Sequence, residues 1–321
     1  MVNLKLHKLV NTCSAHISTL KKNKFLIAYS GGIDSSVLLD CFVKLSSIIP
    51  IEIRSIHINH GITKEAILFE NHCKEMCKEY GITHITENLN LMASSNIEEE
   101  CRKERYKKLT KYCHEDEVIV TAHHEEDQVE TFLLRLMRGS GARGLSSMKI
   151  KSQYHKKTIF RPLLKVPKSE IKEYSVTNQI TFIEDDSNKN NLFDRNFVRN
   201  DVIPLLKSRW PSINKSIINN ISVQDIQHKF IADSTNSLLP QYYVLNDKEL
   251  DVAKLNLVKY HTKVMIIHEW VFLQSNVMLN LKHINEIIKI LNTNNDSNPL
   301  FTYNSVTINK NRGFLILSTK S

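Results

Sequence analysis

The sequence predicts an α/β fold: a doubly wound, mainly parallel sheet over residues 1–210, followed by a second, smaller α+β carboxyl-terminal domain over residues 211–321. Three observations lead there. The apolar runs "KFLIAY", "IEIRSIHIN", "ITHITENL" and "EVIVTA" alternate with helical patterns of fitting length, the rhythm of successive βαβ units. These runs are nearly continuous rather than alternating with a period of two, as expected of strands covered on both faces of a parallel sheet. Three polar motifs, "SGGIDSS", "HINHG" and "TAHHEED", stand at the ends of such runs, and open α/β sheets bind their ligands beyond the carboxyl ends of the strands.

Taken in order, "MVNLKLHKLVNTCSAHISTL" mixes charge with apolar residues and reads as an amphipathic first helix, without the uninterrupted apolar stretch of a secretory signal. Residues 25–29 form the first strand. Past about residue 160 the pattern turns to helices, one beginning near Pro167 with Ser169 and Glu170 in its first turn and ending before "EDDSNKNN". Pro211 in "SRWPS" breaks a helical pattern, which puts the domain boundary near Trp210. Long helices studded with Ile and Leu follow, then "LFTYNSVTINKNRGFLILS", a terminal hairpin or three-stranded piece turning at Asn311 to Gly313.

The composition narrows the function. A chain of 321 residues, 41% hydrophobic, buries a core large enough for an enzyme. The net charge of +9 favours a polyanionic partner, and no single basic tail carries it. The most apolar late run, "VMIIHEWVFL", contains His268 and Glu269 and falls far short of the ~20 residues of a bilayer span, so no membrane crossing is expected. Six unevenly spaced cysteines read as reduced thiols of a cytoplasmic protein.

"SGGIDSS" carries the chemistry. Paired glycines between a strand and a helix let an oxyanion approach backbone N–H groups at the positive end of the helix dipole. There is no Gly-Lys-Ser/Thr to complete an ordinary P-loop. Asp34 would repel bare phosphate, so its place in the loop makes sense if Mg2+ lies between carboxylate and phosphates. In "HHEEDQVET", Asp127, Glu130 and Thr131 share one helical face, and Asp127 is the second magnesium or proton-handling candidate. In "RGSGARG", Arg138 is flanked by glycine and is the candidate cation for charge growing on a phosphate. Acidic Glu184, Asp185 and Asp186 offer charge to a cationic small substrate, but such a cluster standing alone is ordinarily a solvated loop. His123 and His124, with His57 and His60, lack the spacing of a catalytic zinc site. Cys73 and Cys77, at i and i+4, read as a buried helix face.

At this point the chain closely resembles the PP-loop, or N-type, ATP pyrophosphatases, of which "SGGIDSS" is the signature. Within them, "HINHGI", "TAHHEEDQVETFLLRLMRGSGARGL", "RPLL" and "IEDDSNKNNLFDRNFVRNDVIPLL" together resemble the tRNA(Ile)-lysidine synthetase family over about residues 24–205. The resemblance implies ATP and Mg2+ as cofactors, L-lysine as co-substrate and tRNA-Ile with a CAU anticodon as partner, with a homodimer left open. Adenylation of the wobble cytidine would be followed by lysine attack, releasing AMP and pyrophosphate. Ser30, Gly31, Gly32, Ile33, Asp34, Ser35, Ser36 and His57 would hold the nucleotide, and Asp34, Asp127 and Arg138 would be catalytic, with Asp34 and Asp127 on the metal. Glu130, Glu184 and Asp185 would serve the lysine substrate, while Arg195 and Arg199 would present a basic face to RNA phosphates. The carboxyl-terminal domain would contact tRNA. One departure stands out: the family pattern has Asp-Asp-Gln where this chain has Glu126-Asp127-Gln128, which puts the role of position 126 in doubt. Two alternatives remain open from sequence, a PP-loop sulfur transferase and a non-catalytic nucleotide- and RNA-binding protein.

Overall fold

The computed structural model describes residues 7–59, 66–89, 97–185, 191, 193–293 and 299–319; His60 and Asp186 lie outside them. The chain forms two compact units, Met1–Leu134 with Ser147–Ile218, and Arg135–Ser146 with Asn219–Ser321.

In the first unit α1 (Lys8–Ile17) precedes β1 (Lys24–Ala28), α2 (Ile33–Ser46), β2 (Glu52–Asn59), α3 (Ala66–Glu79), β3 (Thr83–Asn88), α4 (Ile97–Tyr112) and β4 (Glu117–Val120). There follow α5 (Glu125–Met137), α6 (Ala142–Leu145), the hairpin β5 (Lys151–Tyr154) and β6 (Lys157–Phe160), α7 (Lys168–Thr177), α8 (Asp194–Phe197) and α9 (Ile203–Arg209), with a π-helical turn at Val198–Val202. The sheet order is β3-β2-β1-β4-β6-β5. All pairings are parallel except β5 with β6, so the expected parallel sheet is observed with one antiparallel edge strand.

Strand β1 shows why both faces are covered. Phe25, Ile27 and Tyr29 bury against Leu9, Val37, Phe42 and Tyr174 on one side, while Leu26 and Ala28 join Ile56, Leu109 and Ile119 on the other. Side chains of a strand alternate between faces, so a sheet buried twice needs an apolar residue at every position of its central strand. Chain order reverses between β1 and β4, and that switch point opens a crevice at their carboxyl ends.

At the opposite end of the sheet, Arg54 on β2 clamps Glu117 on β4, with Nε to Oε1 at 2.7 Å and Nη2 to Oε2 at 2.8 Å. Burial opposes ionisation of Glu117, but Arg54 and the backbone N–H of His114 hold its carboxyl below the usual range of 4.5. A carboxyl whose folded pKa is depressed contributes stability above its unfolded pKa and loses it as pH falls through the folded value. Glu117→Gln should therefore lower the melting temperature at pH 7, by the equivalent of about 3 kcal/mol. It should also flatten the loss of stability below pH 4.5, as thermal melts from pH 3 to 7 would show.

The chain leaves the first unit within α5, returns before Ser147, and crosses for good within α10 (Ile213–Leu238). The second unit adds β7 (Glu249–Asp251), α11 (Val252–Leu257), α12 (Tyr260–Ser275), α13 (Leu281–Leu291), β8 (Leu300–Tyr303), β9 (Val306–Asn311) and β10 (Phe314–Thr319). Its antiparallel sheet runs β7-β10-β9-β8 and packs on α12 and α13 around the buried Trp270. Arg312 and Gly313 adopt positive φ in the β9–β10 turn, the turn expected at Asn311 to Gly313. The segment at residues 135–146 is anchored here by Arg143, whose guanidinium lies 3.5 Å from the centre of the Phe272 ring and 2.7 Å from Oε1 of Glu269. Neighbouring sequence gave no sign of that anchorage.

Candidate active site

The turn after β1 is braced from within. Ser35 Oγ donates to the Gly32 carbonyl at 3.0 Å and accepts the Ser30 N–H at 3.2 Å, and Tyr29 Oη lies 3.3 Å from Ser36 Oγ. Gly31 has φ +85°, and a Cβ there would come within 3.2 Å of Cys73 Sγ and 3.3 Å of Phe69, so only glycine fits. Gly32 caps α2 without any side-chain hydrogen bond, leaving the first turn of amides to an incoming anion. Beneath the turn, Cys73 and Cys77 are fully buried, as their spacing suggested. His57 is buried, with Nδ1 3.0 Å from the Tyr29 carbonyl; burial lowers its pKa and keeps the ring neutral. The backbone N–H of Ile183 donates to the Gly31 carbonyl at 3.0 Å, which brings the exposed Glu184 and Asp185 to within two residues of a bond to the loop.

His124, which follows β4, is the hub of the site. Its Nε2 lies 3.7 Å from Asp34 Oδ2 and 3.6 Å from Asp127 Oδ2, and its Nδ1 lies 3.2 Å from Glu126 Oε2. Burial favours the neutral ring, yet Asp34, Glu126 and Asp127 outweigh it and push the pKa up to about 9. Asp34 also receives the ammonium of Lys168 on Oδ1. Burial opposes its charge, but His124 and Lys168 hold its carboxyl below the ordinary range. Asp127 accepts the His124 N–H at 2.9 Å and Arg195 Nη2 at 2.7 Å, and despite burial its carboxyl stands well below the ordinary range.

Glu130 is buried, at 1% exposure, and accepts from Arg195 Nε at 2.7 Å and Arg199 Nε at 2.6 Å. This corrects the expectation of an outward basic face: Arg195 and Arg199 turn inward, because two buried carboxylates one helical turn apart need counter-ions at hydrogen-bond distance. Asp127 and Glu130 form one network with these two arginines. Beside it, burial pushes the Tyr106 phenol up, but Arg161, Arg102 and Arg105 pull its pKa below the ordinary value. His123, 2.8 Å from Thr121 Oγ1 through Nδ1, is held neutral chiefly by burial. Arg138 belongs to the second unit and is exposed in the turn after α5.

The sequence reading missed Lys168, His124 as hub, and the arginines around Tyr106. Only Lys168 left a trace, as the basic residue directly after Pro167 at a helix start.

A PP-loop domain profile matches residues 2–206. The tRNA(Ile)-lysidine synthase of Haemophilus ducreyi is 36% identical over 294 residues, covering 91% of this chain and 68% of that protein. The chain belongs to the tRNA(Ile)-lysidine synthase family. The Coxiella burnetii tRNA(Ile)-lysidine synthase is 35% identical over 309 residues, covering 94% and 68%. A U34-tRNA thiolase from Methanococcus maripaludis, solved with its [4Fe-4S] cluster, superposes with a TM-score of 0.55 at 19% identity over 68% of this chain and 79% of that one, which shows a shared fold. Among the described residues no helix is long and apolar enough to cross a membrane.

Proposed function

We propose that the protein binds Mg-ATP in the cradle of Ser30–Ser36 and converts the wobble cytidine of tRNA-Ile(CAU) to lysidine in the cytoplasm. One observation carries the reading: Asp34 and Asp127, from the first turns of the helices that follow the adjacent strands β1 and β4, converge on His124 beside the amides that start α2. Family membership supplies the substrate class. Two hard oxygen donors that already share one cation suit Mg2+. Asp34 and Asp127 would hold it, and when bound it would neutralise phosphate charge. Lys168, at the head of α7, supplies the cation that the loop lacks and would move from Asp34 onto the departing pyrophosphate. His57 would border the adenine.

In the first step the C2 oxygen of cytidine attacks the α-phosphorus and the bond to pyrophosphate breaks. In the second, the lysine ε-amine attacks C2, the C2–O bond breaks and AMP leaves. The lysine proton must first be removed. Asp127 is a poor acceptor, because despite its burial His124, Arg195 and the backbone N–H of His124 all favour the carboxylate, which leaves Asp185 as the candidate base. Glu130, fixed by Arg195 and Arg199, would keep Asp127 in register for the metal. The cytidine must leave its stack to reach the crevice, as in other recognition of single-stranded loops, and the second unit would contact the tRNA body.

Incubation with ATP, labelled lysine and transcripts differing only at the wobble base tests this. Label should enter the C34 transcript alone, with stoichiometric AMP and pyrophosphate. Incorporation into a U34 transcript, or a requirement for a sulfur donor, would refute it.

A further inference from the structure

We infer that Glu126 is a positioning residue whose side chain ties the start of α5 to the start of α7 and thereby sets Lys168 against Asp34. The inference rests on the nucleotide occupying the cradle proposed above. Two hydrogen bonds join these helix starts: the Glu125 N–H donates to the Val166 carbonyl at 3.0 Å, and the Lys168 N–H donates to Glu126 Oε2 at 2.9 Å. Lys168 is the first residue of α7, whose N-cap, Pro167, offers no side-chain acceptor. Its amide is one of the orphan donors that every helix start must satisfy from outside. Glu126 satisfies it from another helix, 42 residues away in sequence. The same oxygen lies 3.2 Å from His124 Nδ1, a buried nitrogen without a well-aligned hydrogen bond of its own. One carboxylate thus touches both the amide of the residue whose ammonium meets Asp34 and the ring that faces Asp34 from the other side.

What the tie requires is reach. Aspartate is shorter by one methylene, roughly 1.5 Å, so its oxygen would fall outside the hydrogen-bond limit to the Lys168 amide. Glutamine is uncharged but keeps an acceptor at the original distance. An electrostatic role for position 126 ranks the two variants in the opposite order, with aspartate the better substitute.

The test is the affinity of the full chain for a non-hydrolysable ATP analogue with Mg2+, measured calorimetrically for Glu126→Asp and Glu126→Gln. The Asp variant should bind about tenfold more weakly than wild type and the Gln variant within about threefold of it, the loss of a helix-start acceptor setting the scale. In turnover the Asp variant should raise KM for ATP more than it lowers kcat. Hydrogen exchange at the Lys168 amide should be faster in the Asp variant than in the Gln variant. If the Asp variant does not fold, Glu126→Ala set against Glu126→Gln gives the same ranking. Equal weakening, or weaker binding by the Gln variant, would overturn the inference. Because the readout is nucleotide binding, it separates a failure of this tie from a failure of lysidine formation.

Discussion

Replacing Asp34 by alanine should lower pyrophosphate release by about 10²–10³-fold, the loss typical of removing one preorganised electrostatic group from a reacting phosphoryl or acyl centre. tRNA binding should persist, because in the proposed reading the second unit contacts the tRNA body. Asp34 stands in the first turn of α2, in the cradle proposed for the phosphates, and it meets two cations, Lys168 and His124, from different helices and loops. Without it, both lose the partner that holds them at the mouth of α2, and the cradle becomes an unbalanced cluster of positive charge. That cluster would still attract ATP, so the loss should fall on kcat rather than on KM. Asp34→Asn separates shape from charge: it keeps the hydrogen-bonding outline but not the ligand for a hard cation, and should be nearly as inactive as alanine. Full activity in either variant would sink the metal assignment.

Much of this molecule can be read from its residues in order. The sheet follows from apolar runs that do not alternate, and the crevice from polar motifs that end them. Gly31 follows from the strand–turn–helix context, and the packing of Cys73 and Phe69 against it shows why no larger residue fits. What sequence could not supply were relations between distant segments. Lys168 and Asp34 are 134 residues apart, and no local pattern marks that pair. Arg195 and Arg199 lie at helical spacing in a polar stretch, which is equally consistent with facing water. Their inward turn is dictated by Asp127 and Glu130, whose burial is itself a tertiary fact. His124 looked like one of several histidines to be weighed for zinc, and its charge comes from three carboxylates, only two of which are near in sequence. The shared helix α5 was hidden for the same reason, since the anchoring of Arg143 on Glu269 spans 126 residues.

Lys168→Ala should be the second most damaging change, and its result distinguishes two physical roles for the ammonium. In the free protein Lys168 rests on Asp34, a place that a magnesium ion would also favour. If the lysine were only a stand-in for the metal, its removal would ease metal binding, lower the Mg2+ concentration needed for half-maximal activity, and leave turnover intact. If it is the cation that the glycine turn lacks, its removal costs one charge-assisted contact to the departing pyrophosphate, about 2–3 kcal/mol. That corresponds to roughly thirtyfold to a hundredfold in pyrophosphate release. The second outcome is expected. Lys168 is the first residue of α7, so the positive end of the helix dipole and the ammonium both favour an anion, even with Glu126 accepting the Lys168 N–H. Lys168→Arg keeps the charge but spreads it over a planar fork that suits a point contact poorly, and should recover part of the activity. Magnesium titrations of pyrophosphate release for the wild type and both variants decide between the roles: a leftward shift with unchanged maximum in the alanine variant would assign Lys168 to the metal's place rather than to the phosphates.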